Sequence, residues 1–368
     1  MINTIILKVV APCNLNCSYC YEYNMGDDSW KKKPKKISQL IVNKFCQRIT
    51  EYIQENNLKK FQVNFHGGEP LMLSARELET TLVALRDNIK VDDLIIGTQT
   101  NATLINDEKI NILNNFNVNI GVSLDGDKNA NKYRVDLQGK DTHDRIIKGL
   151  ELIKNKAKIF SGILSVVNLN SDPVKVLRFL SSFSPPQIDF LPPFGNYSNP
   201  PFPEITQYKL GNWMIKIFDE WNSNILHSNI RIRYLEDAIY SVLKGESRSD
   251  WFGVKKPGYL VVATDGNYEG LDTLKVADDS ARVTNLNIFE NSLNEVLKTE
   301  ALIMRSRNFD GIPDKCKDCE IVNYCNGGYF PTRYSEANGY NNPSYYCQDL
   351  KDLFQHIHTH CKSAGYVS

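Results

Sequence analysis

No apolar run in the chain approaches the roughly eighteen residues that a membrane span requires. Net charge is also missing: 43 basic and 43 acidic residues cancel. Without a global field, neither nucleic acid nor an anionic membrane is an expected partner. The N-terminus lacks the form of a secretory signal, because the apolar segment Ile5–Val10 is short and runs almost directly into Cys13. Fixed-period repeats and low-complexity stretches are absent too. Nine cysteines without a signal peptide therefore read as reduced thiols available to metal in a cytoplasmic protein, and not as disulfides. The one basic run, Lys31-Lys32-Lys33 with Lys35-Lys36, reads as a solvated loop, with docking of an acidic peptide as the alternative.

What is present is a regular alternation. Apolar, β-rich runs at Thr4–Val10, Phe61–His66, Leu94–Thr100, Val118–Leu124, Lys158–Val167 and Ile188–Leu191 predict six strands. Helical patterns at Gln39–Glu55, Ala75–Asn88, Asp107–Asn114, His143–Lys154 and Pro173–Phe179 lie between them. Such βα units build a parallel sheet with right-handed crossovers, either an open α/β fold or an incomplete barrel. The proline-rich Ser184–Pro203 predicts a loop over the mouth. Helical stretches are expected at Glu204–Ser223, Leu235–Lys244 and Leu293–Arg305, and Tyr259–Leu271 reads as a β-hairpin turning at Asp265-Gly266. The chain length allows one large domain plus a smaller one.

Seven of the nine cysteines fall into two groups. Cys13, Cys17 and Cys20 form a CxxxCxxC run just after the first strand. Three thiolates so spaced can take three corners of a cubane [4Fe–4S] cluster and leave the fourth iron open as a binding site. Zinc or inert core thiols are the alternative. Cys316, Cys319 and Cys325, with Cys347 further on, supply four ligands, and Gly327-Gly328 permits the tight turns that wrap a chain around a cluster. A structural zinc ribbon is the alternative there. Cys46, on the buried face of a helix, and Cys361, in a polar C-terminal stretch, read as structural or free, and His356, His358 and His360 as a solvated tail.

The CxxxCxxC run resembles the signature of the radical S-adenosylmethionine (SAM) superfamily. His66-Gly67-Gly68-Glu69-Pro70, at the end of the second strand, is similar to that superfamily's GGEP element. The resemblance implies a partial (β/α)6 radical SAM barrel, with the active site at the strand C-termini as in other barrels. The second cysteine group resembles the SPASM extension of peptide-modifying members, in which four such cysteines fully ligate an auxiliary [4Fe–4S] cluster. The implied division is a barrel over 1–203, a helical linker over 204–258 and a SPASM-like domain over 259–368. Complete SPASM domains hold a second auxiliary cluster, but two of its ligand positions are Leu271 and Tyr329 here. Two clusters in all are therefore expected, one binding SAM and one auxiliary.

Within the superfamily, the order of motifs resembles maturases that form three-residue cyclophanes in ribosomally made peptides. These motifs are Cys13–Asn24, Asp28-Ser29-Trp30, Phe65–Leu71, Gln99-Thr100-Asn101, Gly121–Gly126, Tyr133–Asp136, Asp189–Leu191, Asp272 with Leu274-Lys275, and Arg333 through Cys347. The resemblance implies that Tyr19, His66, Gly67, Gly68, Glu69, Asn101, Ser123, Arg134 and Leu191 bind SAM. Arg134 is the cation for its carboxylate, and the glycines let backbone carbonyls approach its ammonium. The implied reaction joins an aromatic ring to the β-carbon of a residue two positions downstream, with Asp272 as the base and the auxiliary cluster as electron acceptor. Implied partners are a precursor peptide and a donor such as flavodoxin or ferredoxin. The first strand starts too early for the N-terminal leader-binding domain that some relatives carry. The alternatives are formylglycine formation on a sulfatase, epimerisation (with Cys361 as a possible hydrogen donor), thioether formation, or a zinc-stabilised binding protein with no catalysis.

Overall fold

The computed structural model describes residues 1–203, 206–225, 229–252, 258–278, 280–306 and 311–367. In chain order the main elements are β1 (Thr4–Val10), α1 (Gln39–Glu55), β2 (Lys60–Gly67), α2 (Ala75–Asn88), β3 (Asp93–Thr100), α3 (Asp107–Asn115) and β4 (Val118–Ser123). There follow α4 (His143–Lys156), β5 (Phe160–Val166), α5 (Pro173–Ser181), β6 (Gln187–Leu191), α6 (Leu210–Glu220), β7 (Arg231–Ile232) and α7 (Arg233–Lys244). The strands β8 (Tyr259–Val262), β9 (Asn267–Glu269) and β10 (Val283–Asn287) and a helix over Cys347–Ser363 complete the set.

The chain gathers into two compact units. The first comprises Met1–Leu124, Arg134–Gly162 and Gly258–Ile303. Its strands run in the order β10-β9-β8-β1-β2-β3-β4, with β1 to β4 parallel. Ile5, Leu7 and Val9 of β1, Phe61, Val63 and Phe65 of β2, and Ile120 and Val122 of β4 are fully buried. Local chemistry starts the first three helices. The Ser38 hydroxyl accepts from Ile41 N–H, Ser74 and Glu77 form a reciprocal capping box, and Asn106 accepts from Lys109 N–H.

The second unit comprises Asp125–Tyr133, Ile163–Pro257 and Met304–Ser368. Here Ile163–Val166 of β5 pairs in parallel with β6, and β6 with β7. Helix α6 packs against α5 and against the C-terminal helix, around Trp213, Phe190, Phe218 and Phe354. The Trp213 indole N–H donates to the Ser171 carbonyl at 3.1 Å, so this buried polar group is satisfied.

The six expected strands and five helices of the βα repeat all form. The units, however, interleave along the chain and do not follow the linear division at 203 and 258. The reason is that β8 pairs in parallel with β1 (Thr4 opposite Tyr259), so the hairpin belongs to the first unit. The short β7 and the polar edge strand β10 carry no apolar pattern to announce them. Residues 204–205 of the expected Glu204–Ser223 helix lie outside the described residues, and α6 ends in a π turn over Trp221–Ile225. The Leu293–Arg305 stretch forms two short helices, Leu293–Val296 and Glu300–Ser306. The Thr299 hydroxyl donates to the Val296 carbonyl at 2.7 Å and competes with the helical ladder between them. His356, His358 and His360 are not on a solvated tail. They lie in the C-terminal helix, where His356 faces Asp219 at 2.7 Å and Cys361 is buried. The basic run is solvated as expected at Lys31, Lys32, Lys35 and Lys36, which are exposed, and only Lys33 turns inward, to pair with Glu269. Among the described residues no helix is long and apolar enough to cross a membrane.

Candidate active site

The loop after β1 is a set of tight turns. Cys20 N–H donates to the Cys17 carbonyl at 2.9 Å and Asn24 N–H to the Cys20 carbonyl at 2.8 Å, while Asn16 N–H reaches the Val135 carbonyl at 2.8 Å. The three thiols are thereby brought close enough to act on one another. Burial pushes Cys13 up to about 12, and the charges of Glu69 and Cys17 add to this. Cys20 is pushed up as well, by burial and then by Cys17, Glu22 and Cys13. Thiolates in such a site need a compensating cation. Leu15 N–H donates toward the Cys13 sulfur at 3.4 Å, and the Asn101 amide lies 3.9 Å from it. Donors aimed at a sulfur and mutually disfavoured buried thiols suit a metal–sulfur cluster.

Gly67 and Gly68 show why that position tolerates no side chain. A Cβ on Gly67 would stand 1.9 Å from the Val10 carbonyl oxygen, and one on Gly68 would stand 2.0 Å from that of Pro12. The close approach seen here is thus to the chain's own backbone, at the end of β1 and the entry to the cysteine loop. Gly68 N–H donates to the Val10 carbonyl at 3.0 Å. Glu69 is buried and fully committed. One oxygen accepts from Leu71 N–H (3.0 Å) and the Thr100 hydroxyl (2.7 Å), the other from Asn101 N–H (2.8 Å). It ties the loop after β2 to the end of β3, and so places Asn101 beside Cys13. Arg134 is buried, its guanidinium carbon 5.6 Å over the Tyr19 ring, and its charge acts on Cys13. Ser123, at the end of β4, accepts from the Gln99 amide at 2.9 Å. Tyr19, Glu69, Asn101 and Arg134 therefore cluster around the cysteine loop. Leu191 closes β6 in the second unit, half-buried.

Asp272 is not a surface turn residue. It is 3% exposed, at the start of a 3-10 turn after β9, and neither carboxylate oxygen accepts a hydrogen bond. Its close partner is the Lys8 ammonium, an ion pair at 3.0 Å outside hydrogen-bonding alignment. Burial raises the Asp272 pKa and Lys8 opposes that rise. His66, at the end of β2, has a buried Nδ1 with no hydrogen-bond partner and is held below its ordinary pKa by burial, with Asp272 opposing.

Sequence reasoning missed what surrounds this carboxylate. Lys8 also meets Glu22 at 2.6 Å, Glu22 meets Lys275 at 2.5 Å, and Lys275 meets Asp27 at 3.2 Å. Asp27 meets Arg282 at 3.3 Å, Arg282 meets Glu269 at 2.9 Å, and Glu269 meets Lys33. A chain of alternating charges thus runs through the interior of the first unit. One signal was available: Lys8 is the only charged residue in the apolar β1 run Thr4–Val10.

In the second unit the other four cysteines also converge. Cys316 is raised by burial and then by Cys347 and Cys319, and Cys325 is pushed up to about 12 by burial, with Cys347 and Cys316 adding. Asn326, Gly327 and Gly328 are three consecutive left-handed residues that reverse the chain after Cys325. Inside that reversal lies Arg333, with no solvent exposure, donating to the Gly328 carbonyl at 2.8 Å and the Asn326 carbonyl at 2.5 Å. Its charge acts on Cys325 and Cys316, and burial lowers its own pKa to about 10. A buried cation beside Cys325 and Cys316, with Cys347 and Cys319 acting on the same thiols, suits an anionic cluster. Tyr329 packs at 4.5 Å on Trp251 and at 6.2 Å on Phe194, and Leu271 is buried in the first unit. Cys46 is buried and donates to the Ala84 carbonyl, a packing role.

Residues 8–180 match the family profile of the Radical SAM superfamily. Those residues carry a radical SAM domain, and the protein is an enzyme with the α/β radical SAM partial-barrel fold and a C-terminal extension. Over 367 residues it is 26% identical to the cysteine-type anaerobic sulfatase-maturating enzyme of Clostridium perfringens strain 13, with 96% of each chain covered. The structure titled native anSMEcpe with bound AdoMet superposes with a TM-score of 0.84 at 23% identity, covering 98% of each chain. Streptococcus suis SuiB bound to S-adenosylmethionine superposes with a TM-score of 0.67 at 17% identity, covering 95% of this chain and 77% of that one. The full-length likeness runs to sulfatase-maturating enzymes, and it lends no support to the cyclophane specificity expected from the motifs.

Proposed function

We propose that the protein modifies a peptide by two-electron oxidation at a side-chain β-carbon, with Asp272 as the base. Cys13, Cys17 and Cys20 would hold a [4Fe–4S] cluster which, with SAM, would supply a 5′-deoxyadenosyl radical for hydrogen abstraction. Tyr19, Asn101 and Arg134, clustered around that loop, would bind SAM. One proton and one electron must then leave the substrate. Asp272 accepts the proton, and the observation that carries the reading is a buried carboxylate, ion-paired to Lys8, whose two oxygens accept no hydrogen bond. A cluster on Cys316, Cys319, Cys325 and Cys347 is the proposed electron acceptor, and a flavodoxin or ferredoxin the external donor.

The relatives favour one outcome of this chemistry, oxidation of a Cys or Ser to formylglycine on a sulfatase-type peptide. A second reading, attack of the β-carbon radical on an aromatic ring to give a cyclophane, has one specific observation behind it. Leu271 and Tyr329 stand where a further cluster would need cysteines, and both are buried apolar packing residues. Mass spectrometry of modified peptides separates the two: an aldehyde at Cys or Ser marks the first, a crosslinked peptide lighter by two hydrogens the second. In either case deuterium from the β-carbon should appear in 5′-deoxyadenosine, and label arriving from an α-carbon instead would sink both. Asp272→Asn should lower product formation about 10²–10⁴-fold while 5′-deoxyadenosine is still released. Unimpaired product from that variant would remove Asp272 as the base.

A further inference from the structure

The chemistry assigned to Asp272 demands an ionised carboxylate with free lone pairs in a dry site. Burial alone works against this, because a charge without water or partners neutralises itself. We infer that Lys8 is the positioning residue that keeps Asp272 ionised, and that Glu22, by sharing the same ammonium, keeps Asp272 basic. The inference rests on the reading of Asp272 as the base.

Geometry carries the argument. Lys8 Nζ stands 3.0 Å from Asp272 Oδ1 but 2.6 Å from Glu22 Oε1, and its hydrogen bond is to Glu22. The ammonium therefore gives Asp272 charge without using up an acceptor site. A lysine paired with Asp272 alone would pin it as a weak base, whereas one drawn toward Glu22 stabilises the carboxylate only partly. Lys8 is itself fixed. It lies in the buried stretch of β1, between β2 and β8, and its own charge is favoured by Asp272, Glu22 and Glu269 despite burial. The other charged groups acting on Asp272 are Glu22 from the cysteine loop, Glu269 of β9, and Lys275 of its own turn, while Arg282 beside β10 feels it in turn. His66 of β2 also faces it, but burial disfavours the imidazolium. Two carboxylates and two lysines thus act on Asp272, and of the lysines the shared ammonium of Lys8 is the one that stands 3.0 Å from it.

The test titrates Asp272 directly in the iron-loaded protein. Aspartate is labelled with ¹³C at Cγ, and the Asp272 resonance is assigned by its loss in Asp272→Asn. Lys8→Met should raise the Asp272 pKa by about one unit or more. Glu22→Gln should lower it, because Lys8 then serves Asp272 alone, and Lys8→Arg should stay near the wild-type value. General damage to the fold would not move the pKa in opposite directions for two neighbouring substitutions. An unmoved resonance in Lys8→Met, or shifts of the same sign in Lys8→Met and Glu22→Gln, would overturn the inference. Failure of the base reading shows separately, as full product formation by Asp272→Asn.

Discussion

Cys13, Cys17 and Cys20 sit in a loop whose neighbours are polar and directional, whereas in the group of Cys316, Cys319, Cys325 and Cys347 a buried guanidinium, Arg333, acts on Cys325 and Cys316. Around the first group, Asn101 is aimed at Cys13 by Glu69, and Arg134 spreads over Tyr19. Around the second, Arg333 is consumed by the Gly328 and Asn326 carbonyls of the same turn that carries Cys325. Three thiols with a rim of polar groups make a site that can receive a ligand. Four thiols, two of them beside a buried and already committed guanidinium, offer no such rim. The difference teaches that openness here is a property of the surrounding side chains as much as of the number of cysteines.

The severest way to break this comparison is to delete one site and watch the other. The wild-type chain should hold about eight irons and eight labile sulfides. With Cys13, Cys17 and Cys20 all replaced by Ala, about four irons should remain and SAM cleavage should cease, read as loss of 5′-deoxyadenosine. Continued cleavage would show that the open site lies elsewhere, and a wild-type count near twelve would show a third cluster.

Next in size is Gly68→Ala. Its Cβ would stand 2.0 Å from the Pro12 carbonyl oxygen, so the cysteine loop must shift. Iron at the first site and SAM cleavage should both fall, while the four irons of the second site stay. Equal loss of iron from both would contradict the independence of the two groups.

Arg333→Met sharpens the closed side of the comparison. It leaves two buried carbonyls unanswered, a cost of about 3 kcal/mol. Thermal unfolding should move to lower temperature and the second group should lose its iron first, with SAM cleavage largely retained. Smallest is Cys361→Ala. Cys361 is buried on the C-terminal helix, with a thiol pushed up by burial. Product formation should be unchanged, and its loss would revive a thiol hydrogen donor and with it the epimerisation reading.

Much of this protein is determined by the sequence alone. The alternation of β-rich and helical segments, the capping residues Ser38, Ser74 and Asn106, and the spacing of both cysteine groups are local signals. They need no knowledge of what packs against them, because strand period, helix caps and close-set ligands are set within a few residues. The likeness of the motif at His66–Pro70 is local in the same sense. What only the tertiary structure decided is long-range. The attachment of β8 to β1 draws Gly258–Ile303 into the first unit, and with it Asp272 to within 3.0 Å of Lys8, 264 positions earlier in the chain. Nothing in the local sequence marks Glu22, Lys275, Asp27, Arg282 and Glu269 as buried. They are buried because each finds an opposite charge from a distant segment, and a charge enters a dry interior only when its partner arrives with it.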